Sequence, residues 1–219
     1  MLEYEWPRWL PPEVLFPVMR VPLSGGTRAS YAKVADQAPL AATQLVQAGC
    51  GVIAFACTLG SVFAGAQAET RLQAAIGAAS NLQALSLGAT SIKALRRMGI
   101  TRPAVLTPYS DEANGWLRAY LAEHGIAVAG FIPTPVDIIT VGNLPPEEVA
   151  AVALRGLTAL PAADGLWIPC TAIQTIAAIA AIEAASDKPA VSGSQALMWD
   201  TLAAIGHTRP IAGAGALCA

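Results

Sequence analysis

The segment Gly165-Leu-Trp-Ile-Pro-Cys170-Thr171-Ala-Ile-Gln-Thr175 echoes an earlier one, Gly51-Val-Ile-Ala-Phe-Ala-Cys57-Thr58-Leu-Gly-Ser61. Each opens with a short apolar run of the length and continuity of a strand buried on both faces of a parallel sheet. Each run ends in Cys-Thr and leads into an Ala-rich stretch of helical character. A strand that turns into a helix at this point sets a thiol beside the unsatisfied amide N–H groups of the helix start. Those donors and the helix dipole favour a thiolate and can hold a carboxylate. The duplication predicts two thiols facing one cleft.

Outward from these steps, strands and helices alternate. Strands are expected at 16–22, 82–87, 103–107, 126–132 and 189–192, and helices at 33–48, 89–98, 111–124 and 195–205. A further helix opens at Pro145-Pro146-Glu147-Glu148, with proline in its first turn and acids at the positive end of its dipole. Gly99 and Gly125 are helix stops, and Ser110 is an N-cap. This alternation predicts an α/β fold with parallel sheets. The two Cys-Thr steps lie 113 residues apart in a chain of 219. That spacing predicts two pseudo-symmetric Rossmann-like (flavodoxin-like) lobes with an active-site cleft between them, each lobe presenting a thiol at the carboxyl end of a strand. The expected division is an N-terminal lobe of residues 1–96, completed by 196–219, and a C-terminal lobe of 97–195.

Composition narrows the function. Hydrophobic residues make up 54% and charged residues 13%, the net charge is −2, and no run of five Lys or Arg occurs, which argues against a nucleic-acid surface. Met1-Leu-Glu-Tyr-Glu-Trp is acidic and aromatic, the opposite of a signal peptide. The apolar stretch 166–185 is interrupted by Pro169, Thr171, Gln174, Thr175 and Glu183, so it is expected to split into strand and helix rather than span a membrane. A cytoplasmic protein with free thiols is the expectation. The four cysteines (50, 57, 170 and 218) lack zinc spacing and His124 and His207 are far apart, so no metal-ligand cluster is expected. Ala-rich, weakly charged helices point to a homo-oligomer.

Cys50 and Cys218 carry no accompanying signal and are expected only to pack. Tyr109 stands at a strand end, where it either caps the core or reaches a ligand carboxylate. Thr58, Ser61, Thr171 and Thr175 are helix caps, donors to an anion, or both. His124 is expected at a helix end on the surface and His207 in a loop, with the five tryptophans as core and interface anchors. Neither Ser24-Gly25-Gly26 nor Gly213-Ala-Gly-Ala216 has the spacing or lysine of a phosphate loop.

At Phe55-Ala-Cys57-Thr58-Leu-Gly-Ser61, Thr107-Pro108-Tyr109-Ser-Asp-Glu-Ala-Asn114, Pro169-Cys170-Thr171 and Lys188-Pro-Ala-Val-Ser-Gly-Ser194-Gln195-Ala-Leu-Met-Trp199, the chain resembles the aspartate/glutamate racemase superfamily. Within it, the chain is similar to the branch of maleate cis-trans isomerase and arylmalonate decarboxylase. Arylmalonate decarboxylases keep only the second cysteine, whereas maleate isomerases and the amino-acid and hydantoin racemases keep both. With both thiols present, the resemblance implies an isomerase of a small dicarboxylate, maleate to fumarate, needing no cofactor. It assigns Cys57 as nucleophile and Cys170 as acid/base. Tyr109, Thr58, Leu59 and Thr171 are implied to hold the carboxylates. The alternatives are a racemase or decarboxylase acting through an enediolate, and an inactive or ligand-binding homologue.

Two places depart from the family pattern. Members begin with a strand and a Pro-Ser-Ser-Asn-Thr-like loop, whereas Met1-Leu-Glu-Tyr-Glu-Trp resembles the segment after that loop. The expectation is either a truncated start or a lobe that binds substrate without that strand. In Asp137-Ile-Ile-Thr-Val-Gly142, where maleate isomerases carry an asparagine, none aligns, and Asn143 is displaced.

Overall fold

The two Cys-Thr steps end strands of two separate parallel sheets. The computed structural model describes residues 1–219. The N-terminal half runs α1 (Leu2–Trp9), α2 (Arg28–Gln47), β1 (Val52–Phe55), α3 (Thr58–Val62), α4 (Ala66–Ser80), β2 (Gln83–Ser86) and α5 (Leu87–Arg97). The C-terminal half continues with β3 (Pro103–Thr107), α6 (Asp111–Glu123), β4 (Gly130–Pro133), α7 (Pro146–Ala159), β5 (Gly165–Ile168), α8 (Ile176–Ser186), β6 (Ala190–Ser192) and α9 (Gly193–Ala204).

β1 and β2 form a two-stranded parallel sheet, with Val52 opposite Gln83 and Phe55 opposite Ser86. The second sheet has four parallel strands in the order β4-β3-β5-β6. Every residue of β3, β5 and β6 is buried, as a parallel sheet covered on both faces requires. Alternation along these strands separates two cores. Ala104, Leu106, Leu166 and Ile168 face a cluster with Val149 and Ala153 of α7 and Ile179 and Ile182 of α8. Val105, Trp167 and Val191 face Leu95 of α5 and Leu117 and Leu121 of α6.

Ser110 caps α6, accepting the Ala113 amide at 3.4 Å, and Pro146 stands in the first turn of α7. Gly99 and Gly125 take φ of +70° and +76°, the left-handed stops that end α5 and α6. The apolar stretch 166–185 does split into β5, a turn and α8, and no helix is long and apolar enough to cross a membrane.

Three local expectations are corrected. Residues 16–22 form no strand: Pro17 and Pro22 have no N–H to give a ladder, and Val18 and Met19 are exposed. The strand expected at 126–132 forms at Gly130–Pro133. Cys170 does not pass directly into a helix, because residues 171–175 intervene before α8. α8 starts where its cap lies. The Glu5 carboxylate accepts the Thr175 and Ile176 amides and the Ser194 hydroxyl.

Glu5 belongs to α1, a helix the sequence reading did not anticipate. Trp6 beside it is buried, its indole N–H donating to the Ser194 carbonyl at 3.3 Å and its ring lying 4.7 Å from that of Phe16. α1 thus ties the amino terminus to the starts of α8 and α9.

Candidate active site

Cys57 is the last extended residue before α3, with φ −120° and ψ 107°, and Cys170 follows Pro169 just beyond β5. Cys170 is buried and Cys57 partly so. The threonine after each cysteine reaches across to the other strand end. Thr58 Oγ1 donates to the Pro169 carbonyl at 2.6 Å, and Thr171 Oγ1 donates to the Ala56 carbonyl at 3.4 Å. The two carbonyls belong to the residues that precede the two cysteines.

Tyr109 comes from the end of β3, the strand beside β5. Its turn is set by Asn114 on α6, whose Oδ1 accepts from Thr107 Oγ1 at 2.8 Å and whose Nδ2 donates to the Tyr109 carbonyl at 3.4 Å. The Tyr109 hydroxyl lies close enough to the Cys170 thiol and the Thr58 side chain for each to affect its ionisation. Tyr31, on α2, lies close enough for its phenol to feel charge on both thiols. The sequence reading passed over Tyr31 because nothing in its local pattern separates it from an ordinary core tyrosine. Of the expected site residues, Cys57, Cys170, Tyr109, Thr58 and Thr171 are thus brought together. Leu59 sits buried in the first turn of α3, and the amides of Thr58, Leu59 and Thr171 donate to no main-chain carbonyl.

The electrostatics differ from the sequence expectation. Burial pushes the Cys57 thiol up to about 11, against the Gly60 N–H that favours the thiolate; charge at Cys170 pushes it further up. Burial also raises Cys170, opposed by the Tyr109 hydroxyl and the Ala172 and Ile173 amides. The amide donors expected at the strand ends are present, but desolvation outweighs them, so both cysteines rest as thiols at neutral pH. Burial lifts Tyr31 to about 12 and Tyr109 well above the usual phenol range.

An apolar cavity of about 320 Å³ borders Cys57 and Thr171. It extends past Ile53, Phe55 and Leu197 to Trp6 and Phe16, beside β1, whose only strand partner is β2. The remaining candidates lie elsewhere. Cys50 precedes β1, and Cys218 packs with Trp6 and Leu197. His124 stacks edge-on against Tyr120 at 4.7 Å, and His207 lies in the loop after α9. Asn143 ends a single 3₁₀ turn, Val141–Asn143. No three His, Cys, Asp or Glu side chains are grouped so as to hold a metal ion.

A family model described as arylmalonate decarboxylase matches residues 5–218. Arylmalonate decarboxylase of Bordetella bronchiseptica is 26% identical over 192 residues, 87% of this chain and 80% of that protein. Maleate isomerase of Pseudomonas putida is 27% identical over 186 residues, 80% of this chain and 72% of that one. The solved structure of a Nocardia farcinica maleate cis-trans isomerase variant with a covalently bound succinylcysteine intermediate superposes with a TM-score of 0.89. It is 23% identical and covers 99% of this chain and 92% of that one, a likeness of fold.

Proposed function

The chain belongs to the arylmalonate decarboxylase family, and we propose that within it this protein is a two-thiol isomerase that converts maleate to fumarate without a cofactor. The observation that carries this reading is the meeting of Cys57, Cys170 and Tyr109 at the ends of strands from two sheets. In this reading the lobes are residues 1–96 with 196–219, and 97–195, and the cleft lies between them.

A double bond does not rotate, so isomerisation needs a temporary single bond. Cys57, its proton lost to solvent, adds as thiolate through sulfur to one olefinic carbon, and the π electrons move toward the neighbouring carbon and its carboxylate as an enediolate. Cys170 gives its proton to that carbon, leaving a succinyl thioether on Cys57. After rotation about the new single bond, the Cys170 thiolate takes a proton back, the C–S bond breaks, and its electrons restore the double bond in the trans form. Tyr109 and the amides of Thr58, Leu59 and Thr171 face the carboxylates and stabilise the enediolate charge.

A second reading is favoured by the apolar cavity beside Cys57: racemisation or decarboxylation, through an enediolate, of an acid with an apolar α-substituent. Formation of fumarate from maleate, followed by the change in ultraviolet absorbance between the cis and trans diacids, separates the two. The isomerase also requires a succinyl-sized adduct on Cys57 when a Cys170→Ala variant is incubated with maleate and analysed by mass spectrometry. A folded protein with neither turnover nor adduct excludes the isomerase. Dicarboxylate binding with no rate that responds to Cys57→Ser would indicate a binding homologue.

A further inference from the structure

We infer that Arg28 is a substrate-selecting residue, the cation that draws an anionic substrate toward the thiols and favours it over a neutral molecule of the same shape. The inference rests on the proposed reading of the site as one for a dicarboxylate. α2 leads into β1 and packs on it through Val34, Ala38 and Ala42 against Ile53 and Phe55. Its first turn therefore lies toward the carboxyl end of β1, the end that Cys57 follows and where α/β folds bind ligands. Arg28 is the first residue of α2. Tyr31, one turn on, is the tyrosine whose phenol feels charge on both thiols.

Arg28 is exposed, yet its two partners are the residues that flank Tyr31. Its Nη1 donates to the Phe63 carbonyl at 2.6 Å, and its Cζ lies 4.7 Å from the centre of the Trp116 ring. The Tyr31 ring lies 6.2 Å from that of Phe63 and meets Trp116 edge-on at 6.1 Å. Phe63 closes the short helix that Cys57 opens, and Trp116 stands on α6, the helix that follows Tyr109. The Phe63 bond uses one of five guanidinium N–H donors. None of the chain's ion pairs includes Arg28, so its charge is not neutralised by a carboxylate.

A cation in the first turn works against the helix dipole, and α2 carries no acid in that turn to offset it. The groups gathered at the thiols are neutral hydroxyls and amides, which bind an anion but do not attract it from a distance. Asp111 and Glu112, exposed in the first turn of α6, place negative charge at the carboxyl end of β3. A dianion nearing the cleft is repelled by that pair and attracted by Arg28. The aromatic walls of Tyr31, Phe63 and Trp116 keep water from screening this field fully, so it acts on approach and binding rather than on the bond-making step.

The test alkylates Cys57 with anionic iodoacetate and with neutral iodoacetamide, followed by peptide mass spectrometry at about pH 9, where thiolate is present. At low salt the iodoacetate-to-iodoacetamide rate ratio should fall about three- to tenfold in Arg28→Gln and be largely kept in Arg28→Lys. At high salt the native protein and both variants should converge. A shift in Cys57 ionisation changes both rates alike and cancels in the ratio. On maleate, Arg28→Gln should lower kcat/KM about tenfold at low salt, chiefly through KM. An unchanged ratio, with both reagents slowed or quickened in parallel, would make Arg28 a strut for Phe63 and Trp116 and overturn the inference. Should the native protein leave maleate unchanged, the proposed reaction fails, while the alkylation ratio still decides the role of Arg28.

Discussion

The hydroxyl of Tyr109 lies beside the Cys170 thiol, and as a donor to the thiolate it opposes the burial that raises the thiol. Replacing Tyr109 by phenylalanine keeps the ring in its packing and removes the donor. The Cys170 thiol should then rise further, moving the alkaline limb of the kcat profile, where Cys170 loses its proton, to higher pH. Loss of a positioned donor to developing negative charge should lower kcat on maleate by about 10²–10³-fold. Steady-state kinetics across pH check both, and an unchanged kcat/KM would remove Tyr109 from the site.

Cys57 should be a slow nucleophile toward a neutral reagent at neutral pH, since burial above all pushes its thiol up to about 11. Iodoacetamide alkylation of Cys57, followed by peptide mass spectrometry, should rise about tenfold per pH unit between pH 8 and 10, the thiolate fraction setting the rate. At alkaline pH, where Cys170 ionises, its charge opposes ionisation of Cys57, so Cys170→Ala should move the upper part of that curve to lower pH. A plateau already reached near pH 8 would show an activated thiolate and contradict this account.

The sheet assignments were legible because β1, β3, β5 and β6 are short apolar runs closed by turn residues, and Cys57 and Cys170 stand where those runs end. Residues 16–22 misled because apolar composition alone does not supply a partner strand, and Pro17 and Pro22 lower the capacity to pair. α1 was missed because its inward face depends on tertiary partners of Glu5 and Trp6 nearly 170–190 residues away. The reciprocal threonine contacts and the approach of Tyr31 depend in the same way on how separate elements meet. Thiol pKa was misjudged for a related reason: local amides were visible in the pattern, but the depth of burial that outweighs them was not.

Glu5 should produce a pH-dependent stability term. Burial raises its carboxyl above the ordinary value of 4.5, although the Ile176 and Thr175 amides and the Ser194 hydroxyl favour the charged form. A carboxyl raised in the folded state binds a proton on folding. Its stabilising contribution is fully present below the unfolded pKa and is lost as pH rises through the folded one. Glu5→Gln keeps an acceptor for the α8 amides and has no such proton. The melting temperature of the wild type should therefore fall relative to Glu5→Gln from about pH 4.5 upward and then level off. A pH-independent difference would show that Glu5 does not titrate in this window.

Gly193, at the start of α9, admits the Pro169 carbonyl so closely that a Cβ there would lie 2.5 Å from its oxygen and 3.0 Å from Leu87 Cδ2. That carbonyl receives the Thr58 hydroxyl. Gly193→Ala should therefore act twice, destabilising the fold by about 1–3 kcal/mol through overpacking and displacing the acceptor that Thr58 uses. Gly156→Ala in α7 provides the comparison, because its Cβ would press on the Ile132 side chain and leave Pro169 untouched. Urea unfolding should show both variants weakened. Only Gly193→Ala should also lower kcat and alter the Cys57 alkylation profile at pH values and temperatures where both remain folded. Equal effects on the thiol in the two variants would mean that general loosening, not the Pro169 carbonyl, governs its environment.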